Sequence, residues 1–142
     1  MPLYRCLVPA GSLDADTRDA LAEAITTIHC SVTSVHPIFV SVVFTEYEPA
    51  AYYTGGRRNT MSVITADISA GRDQWMPGEP LTRLSESWSS ITGQEARQIS
   101  VCLDEVDATA SMEAGMIMPA SGEEATWMRQ HNRELGDLQS RG

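Results

Sequence analysis

The strongest constraint on the fold is that the chain repeats itself. Ser41-Val42 and Glu46 recur as Ser100-Val101 and Glu105, a shift of 59 residues, and Gly56 recurs as Gly115 at the same shift. Ala10-Gly11 recurs as Ala70-Gly71 at a shift of 60. Matches in nearly one register mark an internal duplication, so the fold is expected to be one unit used twice. Each half reads as strand, helix, strand and then a glycine-bearing loop. The halves run from about 2 to 56 and from about 61 to 115, with a tail from about 123 to 142.

The local signals fill in each unit. Leu3, Tyr4, Cys6, Leu7 and Val8 suit a short, largely buried strand over 3–8. Asp14 or Asp16 caps a helix over about 15–33, with Leu13, Leu21, Ala24, Ile25, Ile28 and Val32 at helical spacing. His36-Pro37 breaks it, and Ile38–Phe44 reads as a strand buried on both faces. Residues 47–60 read as a loop with a short hairpin arm, and 61–68 as a third strand. Ala70-Gly71-Arg72 is a turn. A second helix follows Pro80, carries Leu81, Leu84, Trp88 and Ile91 on one stripe, and ends before Gly93. Residues 98–103 form a fourth strand, followed by loop and one helical tail over about 123–135.

Two such units predict a single α/β domain. Its four-stranded sheet is mainly parallel or mixed, with two helices on one face. The other face needs cover, which a cyclic homo-oligomer supplies. At 142 residues the chain is long enough for an ordinary core. A net charge of −9 argues against unaided nucleic-acid binding and against an anionic membrane surface. No stretch approaches the ~18 apolar residues of a membrane span, and no basic-then-apolar leader opens the chain, so a cytoplasmic location is expected. Cys6, Cys30 and Cys102 have no paired spacing and read as reduced, mostly buried thiols. No Cys or His pair has the spacing of a zinc site, and neither metal nor cofactor is expected.

The chemistry-bearing candidate is Pro2. If Met1 is removed, the Pro2 nitrogen is a secondary amine rather than an amide, and it then takes or gives a proton. An α-amino group titrates at about 7.7–8.0, and burial or a neighbouring cation lowers that value toward what a base needs near neutral pH. Retention of Met1 would remove this chemistry.

A duplicated β-α-β unit opening with Met-Pro resembles the tautomerase superfamily. Within it the sequence is similar to the cis-3-chloroacrylic acid dehalogenase subgroup and its oxalocrotonate tautomerase relatives. The likeness runs from Pro2 to about Trp127. It is carried by Pro2, Thr27-Ile28-His29, Gly55-Gly56, Ala70-Gly71-Arg72, and Met112-Glu113-Ala114-Gly115 through Pro119, Gly122 and Trp127. The resemblance implies a homotrimer and a cofactor-free enzyme acting on a small anionic substrate.

Residue by residue, the resemblance places the catalytic proline on Pro2 and a substrate-binding histidine on His29. It places the second of two carboxylate-clamping arginines on Arg72 and a water-activating acid on Glu113. The first clamp arginine falls on Ser69 and a substrate-assisting tyrosine on Cys102, so both of those groups are replaced. Ser69 halves the clamp, and a thiol is a poor stand-in for a phenol donor. The expected activity is therefore keto-enol tautomerisation, with Pro2 shuttling the proton and Arg72 and His29 holding the anion. The alternative within enzymes is a hydrolytic dehalogenase or hydratase of cis-3-substituted acrylates, with Glu113 activating water. A different class is a catalytically silent binding or assembly subunit. Arg57 and Arg58 read as a solvated loop pair, His36 and His131 as residues without a role, and Trp75, Trp88 and Trp127 as core or interface.

Overall fold

The computed structural model describes residues 2–140. The first unit consists of β1 (Leu3–Pro9), α1 (Ala15–Thr33) and β2 (Ser41–Tyr47), followed by a small hairpin, β3 (Tyr53–Thr54) with β4 (Arg57–Arg58). The second consists of β5 (Ser62–Ser69), α2 (Gly78–Thr92) and β6 (Ile99–Val106), followed by the hairpin β7 (Met112–Glu113) and β8 (Met116–Ile117). Two short helices, α3 (Glu124–Gln130) and α4 (Asn132–Gln139), complete the described chain.

The main sheet is mixed, in the order β2-β1-β5-β6. Each unit is internally parallel, β1 with β2 and β5 with β6, and the two units meet antiparallel through β1 and β5. The duplication reaches individual hydrogen bonds. Ala51 N–H donates to the Glu48 carbonyl, and 59 residues on Ala110 N–H donates to Asp107. Asn59 N–H to Tyr52 likewise recurs as Met118 N–H to Ser111.

Both helices pack on one sheet face. Leu21, Ile25 and Ile28 of α1 and Leu84 and Trp88 of α2 share one core with Tyr4, Cys6 and Val8 of β1 and Ile64, Ala66 and Ile68 of β5. The opposite face carries Arg5, Val43, Thr65, Asp67 and Cys102 and is not covered by any element among the described residues; Arg5 and Asp67 form an ion pair there at 2.9 Å.

Several expected boundaries shift for identifiable reasons. Asp14, not Asp16, caps α1, accepting from Thr17 N–H at 2.8 Å. Helix α1 ends on Ser34 in the left-handed region, its N–H donating to the Cys30 carbonyl. The apolar run Ile38–Phe44 is not one doubly buried strand. Pro37 opens a 3₁₀ turn over Pro37–Phe39, so β2 begins only at Ser41 and alternates between half-buried and exposed residues as an edge strand. Helix α2 starts at Gly78 and takes Pro80 into its first turn, where a proline removes no intrahelical bond. The stretch after Leu103 is not plain loop: β6 continues to Val106 and the β7–β8 hairpin follows. Its turn residues Ala114 and Gly115 both have positive φ, 48° and 82°, as a tight two-residue hairpin turn requires.

The tail is two helices rather than one. They break at His131, whose ring stacks on Trp127 at 4.3 Å and whose Nδ1–H donates to the Trp127 carbonyl at 2.9 Å. Phe39, Val35, Met116, Met118, Trp127 and Leu135 form a second, smaller core under this tail. Of the thiols, Cys6 is buried and pushed up to about 12, Cys30 is partly buried, and Cys102 is exposed, contrary to the expectation of mostly buried thiols.

Candidate functional site

The antiparallel junction of the two units builds the site. Leu3 pairs with Asp67, which brings the start of β1 beside the end of β5. Pro2 is buried there, its carbonyl accepting from Ser41 N–H at 3.0 Å. A cavity of about 30 Å³ opens at this point between the two cores. Pro2, Ser69, His36 and Glu124 supply its polar and reactive wall. Val35, Phe39, Met118, Trp127 and Met128 supply the apolar one. This volume holds a water molecule or two, so a larger guest requires side chains to move. The two methionines are the pliant part of the wall.

Arg72 stands behind Ser69 and Glu124. It follows Gly71, whose φ of 87° turns the chain at the end of β5. One guanidinium N–H donates to the Ser69 carbonyl, while Nη2 lies 3.9 Å from Glu124 Oε1, too far for a hydrogen bond. Nη2 is buried and has no hydrogen-bond partner among the described residues. Burial lowers the Arg72 pKa, and Glu124, Glu105 and Tyr4 pull it back up. Glu124 is fixed by its other oxygen, which accepts from Gly122 N–H at 2.7 Å.

His29 lies on the last turns of α1, 2% exposed. Tyr4, on the helix-facing side of β1, meets it edge-on, with its hydroxyl 2.9 Å from Nδ1. The Tyr4 hydroxyl has no other partner among the described residues, and burial raises its pKa, so it remains protonated and donates to Nδ1. The His29 proton is thereby assigned to Nε2, a buried donor without a partner among the described residues. Burial, with the nearby Arg72 cation second, lowers the His29 pKa to about 4. At neutral pH His29 is an uncharged donor.

Two consequences are measurable. Tyr4→Phe leaves Nδ1 of a buried ring unpaired and should destabilise the fold by about 1–2 kcal/mol in denaturant titration. A depressed histidine pKa also gives stability a slope. The unfolded chain binds a proton at His29 near pH 6.5, while the folded chain resists it down to about 4. Stability should therefore be level above about pH 6.5 and fall as pH drops from there toward 4. In His29→Gln this part of the slope should disappear from urea midpoints measured across the range.

The other candidates lie elsewhere in the chain. Glu113 sits on β7, half-buried, with its carboxyl pKa raised by burial, and is not part of the cavity wall. Cys102 is exposed on β6, paired with Thr65, on the sheet face away from the helices. Arg57 and Arg58 are exposed on β4. His36, read from sequence as having no role, lines the cavity and caps the 3₁₀ turn, its Nδ1 accepting from Ile38 N–H at 3.3 Å. His131 holds Trp127, whose Nε1–H donates to the Ile117 carbonyl at 2.9 Å. Tyr4 and Glu124 have no distinguishing sequence signal. A tyrosine in a buried strand and one acid among 19 become site residues only through the fold.

The sequence matches the family described as "Putative oxalocrotonate tautomerase enzyme" over residues 1–133. The chain belongs to this family. Among solved structures, native Ps01740 is 33% identical, with 78% of this chain and 99% of that one covered and a TM-score of 0.74. N1, a member of the cis-3-chloroacrylic acid dehalogenase family, superposes with a TM-score of 0.90 at 23% identity, covering 97% of this chain and 99% of its own. The Q0 fused 4-OT, a symmetric trimer, gives a TM-score of 0.73 at 19% identity, covering 82% of this chain and 94% of its own. No protein with a curated description matches the chain. The duplicated β-α-β sheet with two helices on one face is thus the tautomerase fold. No helix among the described residues is long and apolar enough to cross a membrane.

Proposed function

We propose that the protein is a cofactor-free keto-enol tautomerase of small carboxylate substrates, with Pro2 as its general acid and base. The observation that carries this reading is the burial of Pro2 in the wall of a cavity behind which Arg72, largely buried, contacts the lining residues Ser69 and Glu124. The unpartnered Nη2–H of Arg72 has the chemistry to hold a substrate carboxylate through a charge-assisted hydrogen bond. The unpartnered Nε2–H of His29 has the chemistry to polarise an enol or carbonyl oxygen. Pro2, as a secondary amine, takes the proton from the enol oxygen and returns one to carbon.

The assembly is proposed to be a homotrimer. Support comes from the uncovered sheet face with Val43 and Val106 exposed, from the projecting β3–β4 hairpin, and from the trimeric Q0 fused 4-OT. In a trimer, Cys102, exposed on the uncovered sheet face, would face a neighbouring chain. Hydration of cis-3-substituted acrylates is the second reading, favoured by the raised pKa of Glu113, a carboxyl able to act as a base for water. Ketonisation of a simple enol acid, followed by absorbance, tests the first reading against halide release from a cis-3-haloacrylate. The expected result is ketonisation with little or no halide. Halide release without ketonisation would replace the first reading by the second, and neither reaction would leave a binding subunit.

A further inference from the structure

The charges around the cavity do not balance in favour of a doubly anionic guest. Arg72 lies behind the lining residues Ser69 and Glu124, and one of its N–H groups is already committed to the Ser69 carbonyl. Against it stands Glu124, in the wall itself and held in place by Gly122 N–H at 2.7 Å, with Glu105 also close enough to influence Arg72. His29 is neutral. Away from this corner the wall is mainly Val35, Phe39, Met118 and Trp127, with His36 as its polar member and no lysine or arginine in the lining.

We propose that Glu124 is a specificity-determining residue, which admits substrates with one carboxylate and an uncharged, apolar end and turns away dicarboxylates. The inference rests on the reading of this cavity as the substrate site. One incoming carboxylate meets the free Nη2–H of Arg72, which Glu124 neutralises from 3.9 Å without occupying it. A second carboxylate meets Glu124, a like charge, and beyond it a mostly apolar wall in which Ser69 and His36 are the remaining polar side chains. The like charge is the repulsive element, and selectivity built this way is removed when the repulsion is removed. The apolar end of a monocarboxylate lies against Trp127 and Phe39, with Met118 moving to make room.

The test pairs turnover with a measurement that needs none. Butyrate and succinate are titrated into the full-length protein, following tryptophan fluorescence as the report from Trp127, in wild type, Glu124→Gln and Glu124→Asp. Far-UV circular dichroism of each variant shows that it is folded. In parallel, kcat/KM is compared for mono- and dicarboxylate enol acids of equal length. Wild type should prefer the monocarboxylate by at least about tenfold in both assays. Glu124→Gln should bring the two acids to near parity, and Glu124→Asp should retain most of the preference. An unchanged preference in Glu124→Gln, no preference in wild type, or no binding of either acid overturns the proposal. Selective binding in a protein that ketonises nothing keeps the proposal and overturns the tautomerase reading instead.

Discussion

Replacing Pro2 by Ala should lower kcat/KM for enol ketonisation by about 10²–10⁴-fold, the contribution of a positioned acid–base group. The side chain is small, and its loss leaves the helix-facing core intact. What changes is the nitrogen. After removal of Met1 the variant carries a primary amine on a more flexible residue, no longer fixed by the pyrrolidine ring against the cavity. Pro2 does not belong to either hydrophobic core, although its carbonyl accepts from Ser41. That bond survives in Ala, so a stable but inactive variant is the expected outcome. Thermal unfolding should shift little while turnover collapses. The pH profile should separate the groups: in wild type the ascending limb belongs to Pro2, which must be unprotonated to take the enol proton, since burial lowers the His29 pKa to about 4. Equal turnover in wild type and Pro2→Ala would exclude the proline mechanism.

Arg72→Ala should raise KM for a monocarboxylate by about ten- to a hundredfold, the equivalent of about 1.5–3 kcal/mol for a hydrogen bond to a charged group. The guanidinium is mostly buried, with its side chain 12% exposed, so the carboxylate it meets is partly desolvated and the contact is worth more than on the surface. Arg72→Lys keeps the charge but lacks the fork that bonds Ser69 and presents Nη2–H together, and it should recover only part of the loss. Removing the cation also removes a force that holds the His29 pKa down, so that pKa should rise toward its ordinary value, visible in the imidazole NMR titration. A rise in KM without that titration shift would indicate disturbance of the turn at Gly71 instead of loss of a neighbouring charge.

Much of the fold was legible because the duplication and the apolar periodicity act over long stretches. The two helices, the four strands and their placement on one face follow from such patterns. Edges were harder. Pro37 fits a loop, a 3₁₀ turn or a strand start equally well in sequence, and tertiary packing of Phe39 into the second core selects the 3₁₀ turn. The β7–β8 hairpin was read as loop, because Ala114 occupies a left-handed position that sequence rules reserve for glycine or asparagine. The candidates named from sequence through the family resemblance lie beside structural landmarks: Pro2 before β1, Arg72 after the glycine turn, His29 at a helix end. Tyr4, His36 and Glu124 were hidden because nothing local distinguishes them. Their roles arise from the antiparallel meeting of β1 and β5 and from the tail folding back over the first residues. Cys102 shows the complementary limit, since it is exposed on the sheet face away from the helices, and only an assembly would define what it faces.

The most direct test of the central claim is the intact mass of the purified protein, taken on the same preparation whose ketonisation rate is measured. The expected mass lacks the initiator methionine, with activity proportional to that species in mixed preparations. Full activity from protein that retains Met1, where the Pro2 nitrogen is an amide, would contradict it.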